Sequence, residues 1–219
     1  MAQEEKKSVR QSRFDDCVEL ARKAFAQHQI RTTWSDRQWS LMRWDKANGR
    51  WEGNHGCDIV VTSWRQIVVA GDIGPMVFAY GSGSPRVTIA WMGGCEDIEY
   101  YVEQKARIGM GSESSVAEYA PDVAREDLDQ LIETFKENYG EEAEDANVAG
   151  LVELVSEAKE WHLYDDSRLR DYLYDNAGEF HNFLFDGGLS IGMVPSGRLI
   201  YCHAAIRRLH ELLSAQEGG

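Results

Sequence analysis

Between Asp58 and Gly81 three short runs of β-branched and aromatic residues, DIVVTSW, RQIVVAG and PMVFAYG, follow one another with almost nothing between them. Strands joined by so few residues leave no room for the crossover that parallel neighbours require, which restricts this stretch to an antiparallel meander. Its punctuation agrees. In Gly71-Asp72-Ile73-Gly74 the glycines supply positive φ and the aspartate is a turn former, so this motif is read as a bend and not as a reaction centre. After the loop Gly81–Pro85, the run RVTIAWM, Arg86 to Met92, is expected to add a fourth strand, giving a small antiparallel sheet over about residues 58–92.

Outside that stretch the apolar period changes from two to between three and four. Phe14, Val18, Ala21 and Phe25 mark a helix over about Ser12–Gln29. The Trp-rich segment that follows, with Trp34, Trp39, Trp44 and Trp51 among turn formers, reads as irregular or weakly stranded, with a tight connection at Ala47-Asn48-Gly49. Helices are expected over Glu96–Ile108, from near Ala124, over Val148–His162, over Ser167–Phe185 with an interruption at Ala177-Gly178, and at the end in LIYCHAAIRRLHELL. The fold class is therefore α+β, a small antiparallel sheet flanked by several helices. Its 219 residues suit a single domain, with a helical C-terminal part over 122–219.

Charge narrows the partners. The chain has 37 acidic and 23 basic residues, a formal net charge of −14. Apolar residues make up 43% of it, so this is the charge of a folded protein and not of a disordered acidic tail. Direct binding to a nucleic-acid backbone is not expected, and basic surfaces are the natural partners. Cys17, Cys57, Cys95 and Cys202 lack C-x-x-C spacing, the N-terminal stretch lacks a signal-peptide core, and no apolar run is long enough to span a bilayer. Reduced thiols, a cytoplasmic location and no membrane association are the expectation.

No pattern of catalytic or cofactor chemistry is complete. YGSGSPR and PSGR lack the Walker spacing and the Rossmann spacing, and no G-x-S-x-G elbow is present. An enzyme or metal site near Asp72, His55 and Cys57 is the weakest alternative, since neither these nor Cys95, Cys202 and His203 form the close ligand pairs of a zinc site. Cys17 and Cys202 read as small hydrophobes, and His181, His203 and His210 as structural histidines. Neither cofactor nor metal is expected.

The charge is concentrated. From Glu113 to Glu160 there are fifteen acidic residues against Arg125, Lys136 and Lys159, a net of −12. Such runs are ordinarily solvated helix faces. The functional alternative is a polyanionic docking surface, for which Glu126, Asp127, Glu133, Glu137, Glu141, Glu142, Glu144 and Asp145 are the candidate residues. A helix over Glu126–Asn138 is about 20 Å long, and a duplex of that length carries about 12 phosphate charges. With five acids and one lysine the helix has a net of −4. Phosphate mimicry by one helix is too dilute, and a second helix and the EEAED loop must be aligned with it.

The order SWRQIVVAGDIGPMVFAYG, Trp91 in IAWMGG, EYYVEQKA and a terminal IYCHAAIRRLHELL resembles a family of proteins carried by tailed phages and prophages. The resemblance covers mainly residues 57–107 and the last helix, and leaves the Trp-rich segment before Cys57 unplaced. It supplies no catalytic residues. It implies a phage origin and a character similar to phage-encoded inhibitors of host nuclease defences, anti-CRISPR proteins among them, with the basic surface of a host protein or nucleoprotein complex as partner. The other expectation is a phage accessory, assembly or regulatory protein that uses an aromatic patch of Trp34, Trp39 and Trp44.

Overall fold

Glycine, proline and serine set the boundaries of a meander longer than the sequence suggests. The computed structural model describes residues 7–79, 83–98, 106–107, 116–139, 145–185 and 191–217. Strands β1 (His28–Ser35), β2 (Gln38–Asp45), β3 (Arg50–Val61), β4 (Gln66–Gly71), β5 (Met76–Ala79) and β6 (Ala106–Arg107) form one sheet in chain order, each antiparallel to the next. The fold is α+β, and among the described residues no helix is long and apolar enough to cross a membrane.

One face of the sheet is fixed by register. Leu41 lies opposite Cys57, Trp39 opposite Ile59, Ile59 opposite Val69, Val61 opposite Ile67, Ile67 opposite Phe78 and Val69 opposite Met76, and all of these are buried. A one-residue slip would turn the whole set outward, so burial of this face determines the pairing. The Gly71–Gly74 bend is a turn between β4 and β5, as expected. Gly71 has φ +129°, and a Cβ there would meet the Gly56 carbonyl oxygen and stand 2.8 Å from Cys57 Cα. Only glycine fits where these two backbones meet.

Of the two readings of the Trp-rich segment the stranded one holds, since it forms β1, β2 and the first half of β3. Its alternation is hidden by register shifts, between Ile30 and Thr32 and between Thr33 and Ser35 in β1, and between Leu41 and Arg43 in β2. The last is large, because Arg43 pairs with Glu52 while Leu41 pairs with Cys57, so Gly53–Gly56 bulge out. The connection at Ala47–Gly49 is the expected tight turn, with Asp45 Oδ1 accepting the N–H groups of Ala47 and Asn48 at 2.9 and 3.3 Å.

Arg86–Met92 is no strand but part of helix α2 (Pro85–Gly94). Ser84 caps it, accepting the Val87 N–H at 3.4 Å, and Pro85 opens it. This start signal outweighs the β-branched composition. The end of the helix expected over Glu96–Ile108 is corrected, since Ala106 and Arg107 are paired with Phe78 and Val77 as β6. Residues 99–105, the tyrosine-rich part, lie outside the described residues. Helix α1 (Val9–Phe25) ends four residues early, because His28 is fully buried beside Phe25, ring centroids 4.6 Å apart, and already begins β1.

The chain divides into two compact units, residues 13–118 with 195–219, and residues 1–12 with 119–194. The first is the sheet unit. The terminal helix of the chain (Gly197–Glu217) belongs to it and not to a helical part spanning 122–219. From Leu199 to Ile206 every residue of that helix except half-exposed Tyr201 is buried, so it is a core helix and not an amphipathic surface one. It contacts α2 closely: a Cβ on Gly93 would lie 2.8 Å from His210 Cβ, and His203 Nε2 is 2.9 Å from the Met92 carbonyl oxygen.

The second unit holds α3 (Pro121–Tyr139), α4 (Asp145–Trp161), α5 (Asp166–Asn176) and the short α6 (His181–Phe185). Leu128, Leu131 and Phe135 of α3, Leu151, Leu154, Val155 and Ala158 of α4, and Leu169 and Leu173 of α5 form its core with Phe180 and Leu184. Gly178, with φ +52°, separates α5 from α6 where the sequence expects an interruption. Asp165 caps α5 by accepting the Arg168 N–H at 3.0 Å. Counting the terminal helix, α7 is Gly197–Glu217. Two short strands, β7 (Ala117–Tyr119) and β8 (Met193–Pro195), form a separate two-stranded sheet.

Candidate functional site

Several of the candidate acids are engaged within the helical unit. Glu126 accepts the N–H groups of Val9 at 2.9 Å and Arg10 at 3.3 Å. These are orphan donors of the first turn of α1, where the helix dipole also favours a carboxylate. Asp127 accepts from Arg10 Nη2 at 2.8 Å and from the Gly192 N–H at 2.7 Å, and Arg10 Nη1 also donates to the Met193 carbonyl. Asp129 pairs with Lys159, which ties α3 to α4. Glu133 pairs with Lys136 at 2.8 Å one turn on. Glu137 is exposed, and Asp145 is the first residue of α4. Glu141, Glu142 and Glu144 lie outside the described residues.

Helix α4 has the cleaner charge pattern. Its exposed positions are Ala149, Val152, Glu153, Ser156, Glu157, Glu160 and Trp161, steps of three and one that trace a single outward stripe. Leu151, Leu154, Val155 and Ala158 occupy the opposite, buried stripe. The outward stripe carries three glutamates and no base, since Lys159 is turned aside to Asp129. Glu157 accepts the Tyr172 hydroxyl at 2.8 Å; burial and this carboxylate push the Tyr172 pKa up to about 12, so the phenol stays a donor. Beside the acids stand Trp161, 68% exposed, and Tyr164, 76% exposed.

Axial charge density decides what such a stripe can imitate. Glu153 to Glu160 spans about 10 Å of helix at ~1.5 Å per residue, one charge per ~5 Å between successive glutamates. One strand of a duplex carries a phosphate per ~3.4 Å, and both strands together one per ~1.7 Å. The stripe approaches one strand and falls far short of two. It suits one-sided docking on a basic surface better than imitation of a whole duplex.

The residues of the enzymatic alternative have structural engagements. Asp72 is bonded to Gly56, as its N–H donates to the Gly56 carbonyl at 3.0 Å and its Oδ2 accepts the Gly56 N–H at 3.1 Å. Burial pushes the Cys57 thiol up to about 12, which leaves it protonated at neutral pH. His55, at φ 58°, lies tilted beside Tyr201 and Phe25 with ring centroids 5.5 and 6.2 Å away. Among the described residues no group of three or more His, Cys, Asp or Glu is placed to hold a metal ion. Trp39 is a core residue at 2% exposure while Trp34 is 66% exposed and Trp44 half-buried, so the three do not make up one exposed aromatic patch.

The stripe of α4 was available in the sequence as Glu153, Glu157 and Glu160 at helical spacing without an intervening lysine on the same face. What the sequence did not reveal is that Glu126 and Asp127 face Val9, Arg10 and Gly192, partners 65 or more residues away. The chain matches no family model, no curated protein and no solved structure.

Proposed function

We propose that this is a binding protein, without catalysis of its own, that docks the acidic face of its helical unit onto a basic, nucleic-acid-binding surface of another protein. The observation that supports it is the α4 stripe: Glu153, Glu157 and Glu160 face outward together, with no cation among them, next to exposed Trp161. Opposite charge accelerates encounter and orients the partner, and an exposed tryptophan offers an anchor and a face for an arginine. Glu137 of α3 adds an exposed acid to the same unit. In the setting that the phage resemblance implies, the partner is a host nucleic-acid-binding defence complex, and occupation of its basic channel inhibits it.

The test uses the full chain immobilised and offered a bacterial extract at low salt. Retained proteins are expected to be enriched in nucleic-acid-binding proteins, to be displaced by added DNA or RNA, and to elute at modest ionic strength. The triple variant Glu137→Lys, Glu153→Lys, Glu160→Lys keeps the internal pairs of Glu126, Asp127, Asp129 and Glu157 and is expected to lose retention. Equal retention by the triple variant, or retention indifferent to added nucleic acid, refutes the reading.

A further inference from the structure

The sheet unit carries a feature of opposite sign. A cleft of about 540 Å³ is lined by Gln27 just before β1 and Gln29 within it, by Arg43, Trp44 and Asp45 at the end of β2, by Lys46 in the turn that follows, and by Arg208 of α7. Its size falls within the range of small-molecule sites. In a chain of net charge −14, three cations and one acid line this cleft, and the carboxylates that balance Arg43 and Arg208 stand outside the lining.

The lining is organised. Asp45 is spent on its own turn, where its carboxylate accepts from the backbone of Ala47 and Asn48 and from the Asn48 amide. Arg43 is oriented through Nε, which lies 3.2 Å from Gln27 Oε1 and 3.3 Å from Glu52 Oε2. Arg208 donates Nε to the His28 carbonyl at 3.0 Å and Nη1 to Glu211 at 3.0 Å. Glu52 and Glu211 thus hold one side of each guanidinium without lining the cleft. Among the described residues those contacts leave the Nη donors of Arg43 and Nη2 of Arg208 uncommitted, and a fork fixed at one edge is set to receive an anion at the other. Lys46 adds a mobile point charge at the rim.

We propose that this cleft binds a small organic phosphate, with the phosphate between Arg43, Lys46 and Arg208 and the organic part against Trp44. A phosphate monoester brings three acceptor oxygens, enough for the open edges of both guanidiniums and the Lys46 ammonium, where a carboxylate brings two. The proposal is independent of the acidic face of the helical unit.

Phenyl phosphate is the probe, titrated into the full chain and followed by tryptophan fluorescence and by backbone amide shifts in NMR. Saturable binding is expected, with amide shifts centred on residues 43–49 and a tenfold or greater loss of affinity in Lys46→Ala and in Arg43→Gln. Arg37→Gln, at the other end of the β1–β2 hairpin, is expected to bind normally. Inorganic phosphate is expected to bind the same residues more weakly, and benzoate weaker still. Absence of saturable binding, shifts elsewhere, benzoate equal to phenyl phosphate, or full affinity in Lys46→Ala overturns the assignment. Lys46 is an exposed turn residue, so its loss leaves the fold intact and that last result is decisive.

Discussion

Asp72 and Gly56 are joined by two hydrogen bonds that run in opposite directions, backbone to backbone at 3.0 Å and backbone to carboxylate at 3.1 Å. This pair closes the β4–β5 turn against the bulge of β3. Asp72→Ala is expected to lower stability by about 1 kcal/mol, the value of one partly exposed hydrogen bond. Gly71→Ala is expected to cost more, roughly 2 kcal/mol or above, since its Cβ would stand 2.8 Å from Cys57 Cα at a positive φ. Urea denaturation followed by tryptophan fluorescence measures both. A loss from Asp72→Ala equal to or larger than that from Gly71→Ala would contradict this division.

Acids that hold the helical unit together separate from acids that face solvent. Glu126→Ala removes the acceptor for two N–H groups of α1 and is expected to cost about 1 kcal/mol, as lost caps do. Asp127→Ala leaves half-buried Arg10 without its counter-ion, with a loss on the order of 2 kcal/mol. Glu153→Ala and Glu160→Ala are expected to stay within about 0.5 kcal/mol of the parent. Chemical denaturation of the four variants distinguishes the groups.

Acid weakens the sheet unit through its buried histidines. Burial lowers the His203 pKa to about 4 and shifts His28 downward as well. The unfolded chain takes up a proton at each near 6.5, whereas the folded chain takes up the His203 proton only near 4. Between these values the unfolded state binds more protons, so stability is fully present above about 6.5 and is lost as pH falls toward 4. His203 alone accounts for on the order of 3 kcal/mol of this. In His203→Gln the denaturation midpoint is expected to vary less steeply between pH 6.5 and 4, and an unchanged slope would contradict it.

Thiol reactivity follows burial. Cys57 and Cys202 are buried and held up to about 12 by desolvation, while Cys17 and Cys95, also raised by burial, are half-exposed. Iodoacetamide at pH 8 is expected to label Cys17 and Cys95 in the native protein, and Cys57 and Cys202 only after unfolding. Peptide mass spectrometry reads the order directly.

Where local pattern and burial coincide, the sequence is a good guide. The runs at Ile59, Ile67 and Met76 alternate because one face is buried, and the turn at Gly71–Gly74 is forced by backbone proximity, so both were legible. The stripes of α3 and α4 were legible for the same reason. The Trp-rich strands were obscured because the bulge at Gly53–Gly56 breaks the period that identifies a strand. RVTIAWM has the β-branched composition of a strand, but the Ser84-Pro85 start makes it a helix. The inward use of Glu126 and Asp127 had no local signal, since their partners are distant in the chain. The lining of the phosphate cleft was hidden likewise, because Arg43 and Arg208 come together only when α7 returns to the sheet unit.

That return orders events during synthesis. The strands of the sheet leave the ribosome before residues 119–194, yet Leu199, Ile200, Ile206 and Leu209, which complete its core, are made after them. Nascent β2 to β5 must therefore wait with an apolar face uncovered while residues 119–194 emerge as a unit able to close its own core. A ribosome stalled before Leu199 carries a helical unit whose core residues are all made and a sheet whose core is still incomplete.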